Sequence, residues 1–223
     1  MLWEEAQVRE NLRTREGRRV FFLPKGDQLT CAARDWLQRE RIDILPGEQG
    51  RIPEFQLLSG GTLREKPENM THLTGNLLVL KTHPRIVFRG KLDTLESALL
   101  LAGQEEGAPL AALQEILDFT REILKAEVLN SPLEGMTLLG LSQEELHRRS
   151  HFPQDFYGKP HFMPKFSQGP VMARFNAARC AAREAELAAV AAFPEGERPD
   201  LQKAMNRLSS AIYLLMIQAL DTG

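Results

Sequence analysis

The chain has 223 residues, 43% hydrophobic and 26% charged, with a formal net charge of −2. That near-neutral balance argues against bulk binding to nucleic acid or to an acidic membrane surface, and no apolar run approaches the ~20 residues of a membrane span. Cys31 and Cys180 are the only cysteines, too few for a disulfide framework and spaced like neither a zinc ribbon nor a redox pair. The opening Met1-Leu-Trp-Glu-Glu-Ala6 is acidic where a signal peptide is basic. The expected location is therefore the cytoplasm.

Residues 1–46 read as a small α/β module. A short helix over Leu2–Leu12 leads to the apolar run Val20–Leu23 and a turn at Pro24-Lys-Gly-Asp27. Thr30 is placed to cap a second helix through about Arg39, and Ile42–Leu45 alternates as a strand does. So small a unit buries little core by itself. Residues 47–72 are punctuated by Gly50, Pro53, Gly60-Gly61 and Pro67, after Pro46-Gly47, and read as a linker or mobile loop.

Residues 73–223 read as the main body, helical from about Lys91. Leu92, Leu95, Leu99 and Ala102 form one apolar stripe that ends at Gly103. Leu110, Leu113, Ile116, Leu117, Phe119, Ile123 and Leu124 fill the face of a second, longer helix. Ser142, with Glu145 three residues on, signals a capping box and a short third helix. A loop rich in Pro, Phe, Tyr and His covers Phe152–Pro170. An Ala-rich helix then runs to just before Pro194, and Pro199 opens the last helix, with Leu201, Met205, Leu208, Ile212, Leu215 and Ala219 as its core stripe. The fold class is mainly α: an antiparallel helical bundle with a small α/β N-terminal module.

Two polar stripes interrupt these apolar helices. Asn176, Arg179, Arg183 and Glu186 run beside a seam of Phe175, Ala178, Ala182, Ala185 and Ala189. On the last helix, Asn206, Ser210 and Tyr213 share a side. The bland account of the first stripe is a solvated charged face with i, i+4 pairs. The functional one is a polyphosphate site, because guanidinium forks match phosphate oxygens bidentately and stay charged at any working pH. His147 and His151 lie one turn apart with His161 beyond. Arg148 stands where a zinc protease motif has its glutamate, so loop anchoring is the expected role and no metal site is assigned.

Several short motifs, in order, carry a family resemblance. Lys81-Thr-His-Pro-Arg85 followed by Arg89-Gly-Lys-Leu-Asp93 resembles the entry to the first bundle helix of ATP:cob(I)alamin adenosyltransferases, with the family's lysine-to-aspartate spacing. His161-Phe-Met-Pro164 with Asn176–Glu186 resembles the family's loop and Arg-Arg-Ala-Glu-Arg helix, and Asn206-Arg-Leu-Ser209 its final Asn-Arg-Leu-Ser-Asp helix. Gly50-Arg51, Thr71-His-Leu73, Gly140-Leu-Ser142, Leu146-His-Arg148 and Ser150-His151 extend the likeness over nearly the whole chain to the ethanolamine-utilisation branch.

That resemblance implies transfer of the 5′-deoxyadenosyl group of ATP to the cobalt of reduced cobalamin, with ATP, Mg²⁺ and cobalamin as reactants, a reductase that supplies low-valent cobalt, and a homotrimer. Association with a bacterial microcompartment is left open by it. Lys81, Arg183, Glu186 and Asn206 match positions that hold ATP, with Lys81 and Arg183 on the triphosphate. Asp93 and Arg179 match an aspartate–arginine pair that bridges subunits, so Arg183, Asp93 and Arg179 are the residues implied in catalysis. Phe152, Phe156, Tyr157 and Phe162 fit either core aromatics or the apolar wall facing the corrinoid; Phe152 and Phe162 are the two assigned to that wall. Three departures stand out. The Cys-Cys-x-x-Cys cluster of some ethanolamine-type enzymes is absent, and only Thr74-Gly75 hints at the family's glycine-rich loop. Ser210 and Leu187 replace an aspartate and an arginine of the motifs. These departures keep a second reading in play, a non-catalytic bundle that binds ATP or adenosylcobalamin to deliver or sense the cofactor.

Overall fold

The computed structural model describes residues 1–15, 18–47 and 54–220. Those within 1–56 and 60–65 make one compact unit, and those within 57–59 and 66–223 another.

The first unit is built from β1 (Leu2–Trp3), α1 (Glu5–Glu10), β2 (Arg13–Arg15), β3 (Arg18–Pro24), β4 (Gln28–Leu29), α2 (Cys31–Arg39), β5 (Asp43–Gly47), the first two residues of β6 (Phe55–Leu57) and β7 (Thr62–Leu63). Strands β3 and β5 pair in parallel, Phe21 opposite Ile44, and α2 supplies the crossover that a parallel pair requires. The Thr30 hydroxyl accepts from the Ala33 N–H and so caps α2 as its sequence predicts. Val8, Phe21, Ala33 and Leu37 are fully buried, and Trp3 meets Phe21 edge-on at 5.4 Å.

Two local expectations are corrected. Leu2 and Trp3 are strand, not helix, because they pair with Gln28 and Leu29, while the Trp3 indole N–H donates to Asp27 at 2.9 Å. The stretch expected to be loop carries strands. Pro46 and Gly47 end β5, and Phe55 and Gln56 pair antiparallel with Leu63 and Thr62. The chain returns through Gly60 and Gly61, whose φ of 91° and 89° only glycine adopts freely. The glycine punctuation here serves a short hairpin, while β5 pairs with the more distant β3. Gly50, Arg51 and Pro53 lie outside the described residues.

In the second unit an antiparallel pair, β8 (Met70–Thr74) and β9 (Leu77–Leu80), precedes α3 (Pro84–Ala102) and α4 (Leu110–Leu129). A two-residue hairpin, β10 (Thr137–Leu138) with β11 (Leu141–Ser142), leads to α5 (Gln143–His151), α6 (Pro153–Tyr157), α7 (Gly169–Ala192) and α8 (Pro199–Ala219). Helix α7 packs along both α3 and α8, and the short connection over 193–198 makes α7 and α8 antiparallel neighbours. The predicted apolar stripes form the core. Leu92, Leu95 and Leu99 meet Ala178, Ala182 and Ala185 of the small-residue seam within one buried cluster that also takes in Leu201, Met205, Leu208 and Ile212. The capping box at Ser142 and Glu145 is present. The expected loop over Phe152–Pro170 holds a helical turn, α6, which Pro153 starts at its first position. Among the described residues no helix is long and apolar enough to cross a membrane.

Glu127 interrupts the apolar side of α4 and is fully buried. Arg85 Nε reaches its Oε1 and Arg89 Nε its Oε2, each at 2.5 Å. Arg85 also donates to the Glu127 carbonyl at 2.9 Å, and Arg89 to the Leu73 carbonyl at 2.7 Å. This cluster ties the start of α3 to the end of α4 and to β8. Beside it, the His83 imidazole accepts from the Arg85 N–H and caps α3. Burial, then the charges of Arg85 and Arg89, push the His83 pKa below its ordinary 6.5.

Candidate functional site

A cavity of about 440 Å³ opens between α7, α8 and the segments that flank α6. Helix α7 contributes Arg179, Arg183 and Glu186, and α8 contributes Asn206, Ser209, Ser210 and Tyr213. Ser150 and His151 stand at the end of α5, and His161, Phe162 and Met163 come from the loop after α6. The helical period explains the convergence. With the alanine seam and the Leu201–Ile212 stripe turned to the core, the adjoining polar positions of each helix meet along one edge of their contact.

The polar wall has a defined order. Asn206 Nδ2 donates to Glu186 Oε1 at 2.7 Å, and Arg207 donates to Asn206 Oδ1. The chemistry of the neighbours settles the amide orientation, because an arginine only donates and a carboxylate only accepts. Burial lowers the Arg207 pKa from its ordinary value, while Glu144 and Glu186 oppose that shift. Among the described residues the Nε of Arg179 is buried without a hydrogen-bond partner, as is that of Arg207, and Arg183 stands exposed on the wall. A buried donor left unmade costs about 1–3 kcal/mol, which an acceptor from outside the chain would offset at Arg179. Burial raises the Tyr213 pKa, opposed by the Phe162 amide and the Arg179 charge.

Of the residues given a role by the resemblance, Arg179, Arg183, Glu186, Asn206 and Phe162 line this cavity together, joined by Ser210 and Tyr213 of the α8 stripe. Three do not. Lys81 is exposed in the connection from β9 to α3, Asp93 is exposed on α3, and Phe152 is 57% exposed between α5 and α6. Phe156 lies under the guanidinium groups of Arg148 and Arg149 at 4.9 and 5.5 Å. Of the histidines, His161 ties its loop to α5 and α8, while His151 bonds within its own helix. His151 Nδ1 bonds the His147 carbonyl at 2.9 Å, and His161 Nε2 the His151 carbonyl at 3.1 Å. Among the described residues, no group of three or more His, Cys, Asp or Glu is placed to hold a metal ion.

Sequence reasoning missed Arg207 and Glu127. Arg207 carries no periodic signal, because residues i and i+1 point apart on a helix. Glu127 did carry one, since it continues the buried register of Ile116, Thr120 and Ile123, and a carboxylate at a core position demands partners. A second groove of about 370 Å³ is lined by Leu57, Leu78, Val79 and neighbours without any lysine or arginine, and offers a phosphate no cation.

The cobalamin adenosyltransferase family model matches residues 62–219, which includes every element that lines the cavity. The chain is 32% identical to the corrinoid adenosyltransferase EutT of Salmonella typhimurium, over 96% of this chain and 90% of that protein. The protein of the same name from Escherichia coli K12 matches with the same identity and coverage. The cationic cavity between α7 and α8 thus sits in a chain that belongs to the cobalamin adenosyltransferase family.

Proposed function

We propose that the chain transfers the 5′-deoxyadenosyl group of ATP to the cobalt of reduced cobalamin, giving adenosylcobalamin and triphosphate, in the service of ethanolamine utilisation. The observation that carries this reading is the pairing, in one cavity, of a cationic end without an internal counter-ion and an apolar loop edge. Arg183 supplies the first, with Arg179 beside it left to Asp93 of a neighbouring copy, and Phe162 and Met163 supply the second. In the reaction the electron pair on cobalt forms the bond to C5′ while the C5′–O bond breaks, and triphosphate leaves with that bond's electrons. Fixed guanidinium groups stabilise the charge gathering on the leaving group, and a shared cavity supplies the in-line approach. Glu186, with Oε1 held by Asn206, turns acceptor capacity toward the hydroxyls of the nucleoside. Mg²⁺ would be held by the ATP phosphates themselves and would neutralise part of their charge. The low-valent cobalt comes from a reductase.

Lys81 and Asp93 fit this reading as residues that act in a neighbouring subunit's site. A homotrimer in which Asp93 meets Arg179 of the next copy explains why both are exposed on α3 and its approach. Asp93→Asn is then expected to loosen the oligomer and lower activity together, by light scattering and assay, and a charge swap of the two to recover part of both. An unchanged oligomer in the single variant would count against the pairing.

The decisive experiment is anaerobic incubation with ATP, Mg²⁺ and chemically reduced cobalamin. The expected result is the adenosylcobalamin spectrum with one triphosphate per cobalamin. Tight adenosylcobalamin binding by calorimetry with no turnover would favour the delivery role instead.

A further inference from the structure

The loop after α6 carries the apolar edge of the cavity, and one side chain of α8 holds it. Tyr213, half-buried, stacks on Phe162 with ring centroids 5.9 Å apart and planes 22° from parallel. Tyr213 also stacks on His161 at 5.8 Å and 16°. A second link is polar: its hydroxyl lies 3.0 Å from His161 Nδ1.

The direction of that second bond follows from the far side of the imidazole. His161 Nε2 meets the carbonyl of His151, the last residue of α5, at 3.1 Å. A carbonyl only accepts, so in the neutral ring Nε2 carries the proton and Nδ1 accepts from the tyrosine hydroxyl. One chain of hydrogen bonds runs from Tyr213 through His161 to the end of α5. The Tyr213 proton is spent inside the protein and is not offered to a phosphate. Only the amide and serine hydroxyls of the α8 stripe remain to face a nucleotide.

We propose that Tyr213 is a positioning residue for the corrinoid substrate: it latches His161–Met163 onto α8, so that Phe162 and Met163 present a fixed apolar face to the macrocycle. The proposal rests on the reading that this side of the cavity receives cobalamin. Its physical basis is preorganisation. Met163 is 78% exposed, and a loop so open is ordered only by what it is tied to. Ordering it in advance removes that entropy from the binding step.

Tyr213→Phe tests this directly, because it keeps the ring and both stacking contacts and removes only the hydroxyl. The KM for reduced cobalamin is expected to rise about 3- to 10-fold, the net worth of one neutral hydrogen bond, with the KM for ATP unchanged. His161→Ala cuts the same chain at its other end and is expected to give the same split. Phe162→Ala should itself raise the corrinoid KM, and adding Tyr213→Phe to it should add less than the single effect, because the hydroxyl acts through the phenyl ring. If Phe162→Ala raises the corrinoid KM but Tyr213→Phe leaves it alone, or raises the ATP KM equally, the latch is overturned. If Phe162→Ala has no effect on the corrinoid KM, the placement of cobalamin is overturned, and the latch with it.

Discussion

Arg85 and Arg89 on α3 and Arg179 and Arg183 on α7 are the same chemical object, two guanidinium groups one helical turn apart, in different surroundings. The α3 pair closes on the fully buried carboxylate of Glu127, and its remaining donors go to backbone carbonyls. The α7 pair meets no carboxylate among the described residues, and one of its buried nitrogens lacks any partner. A cation whose charge is balanced within the chain holds the fold together. One left unbalanced on a cavity wall is available to a ligand. Cation spacing is alike in the two cases; the difference lies in what a third helix brings up to it.

The largest effect expected from this contrast is on stability at the α3 pair. Glu127→Gln leaves two guanidinium groups without their counter-charge in a mostly buried setting, and is expected to cost about 3–5 kcal/mol in denaturant unfolding. The triple replacement Arg85→Met, Arg89→Met, Glu127→Leu should lose much less, because it removes the desolvated charges together. Equal losses in the two variants would mean that the cluster contributes more than charge balance.

At the α7 pair the expected loss is in function, not folding. Arg183→Lys keeps the charge and loses the planar fork, so specificity for ATP should fall roughly 10- to 150-fold, equivalent to about 1.5–3 kcal/mol. Its unfolding free energy should stay within about 0.5 kcal/mol of the parent, since an exposed side chain on a cavity wall packs little. Parental kinetics for ATP would remove the phosphate from this helix.

The smallest effect concerns His83, whose pKa is lowered by burial and then by the α3 pair. Its pKa is lower in the folded chain than its ordinary 6.5, so the unfolded chain binds the extra proton. Stability is therefore full above pH 6.5 and declines as pH falls from there toward the lowered folded value. His83→Asn keeps a helix cap without a titrating ring and should flatten that slope. The difference should stay below ~1 kcal/mol because the ring is partly solvated. Identical pH profiles for the two proteins would show that His83 does not sense the arginines.

The bundle was largely legible in the residues alone. Apolar positions at helical spacing, Pro170 and Pro199 near helix starts, and the Ser142–Glu145 box determine α3, α4, α5, α7 and α8 through local geometry and the burial of one face, which need no knowledge of partners. The same period placed Arg179, Arg183, Glu186 and Asn206 on two stripes beside the core. What only the tertiary structure decided is how neighbours dispose of charge and backbone polarity. Leu2–Trp3 is a strand because the distant Gln28–Leu29 pairs with it, and β6 and β7 exist through their pairing across Gly60-Gly61. Glu127 claims Arg85 and Arg89, whereas nothing in the described chain claims Arg179 and Arg183. Tyr213 turns its hydroxyl to His161 and leaves the phosphate end to others. Hydrogen bonds and ion pairs act over a few ångströms between residues far apart in sequence, and that is the information a linear period does not contain.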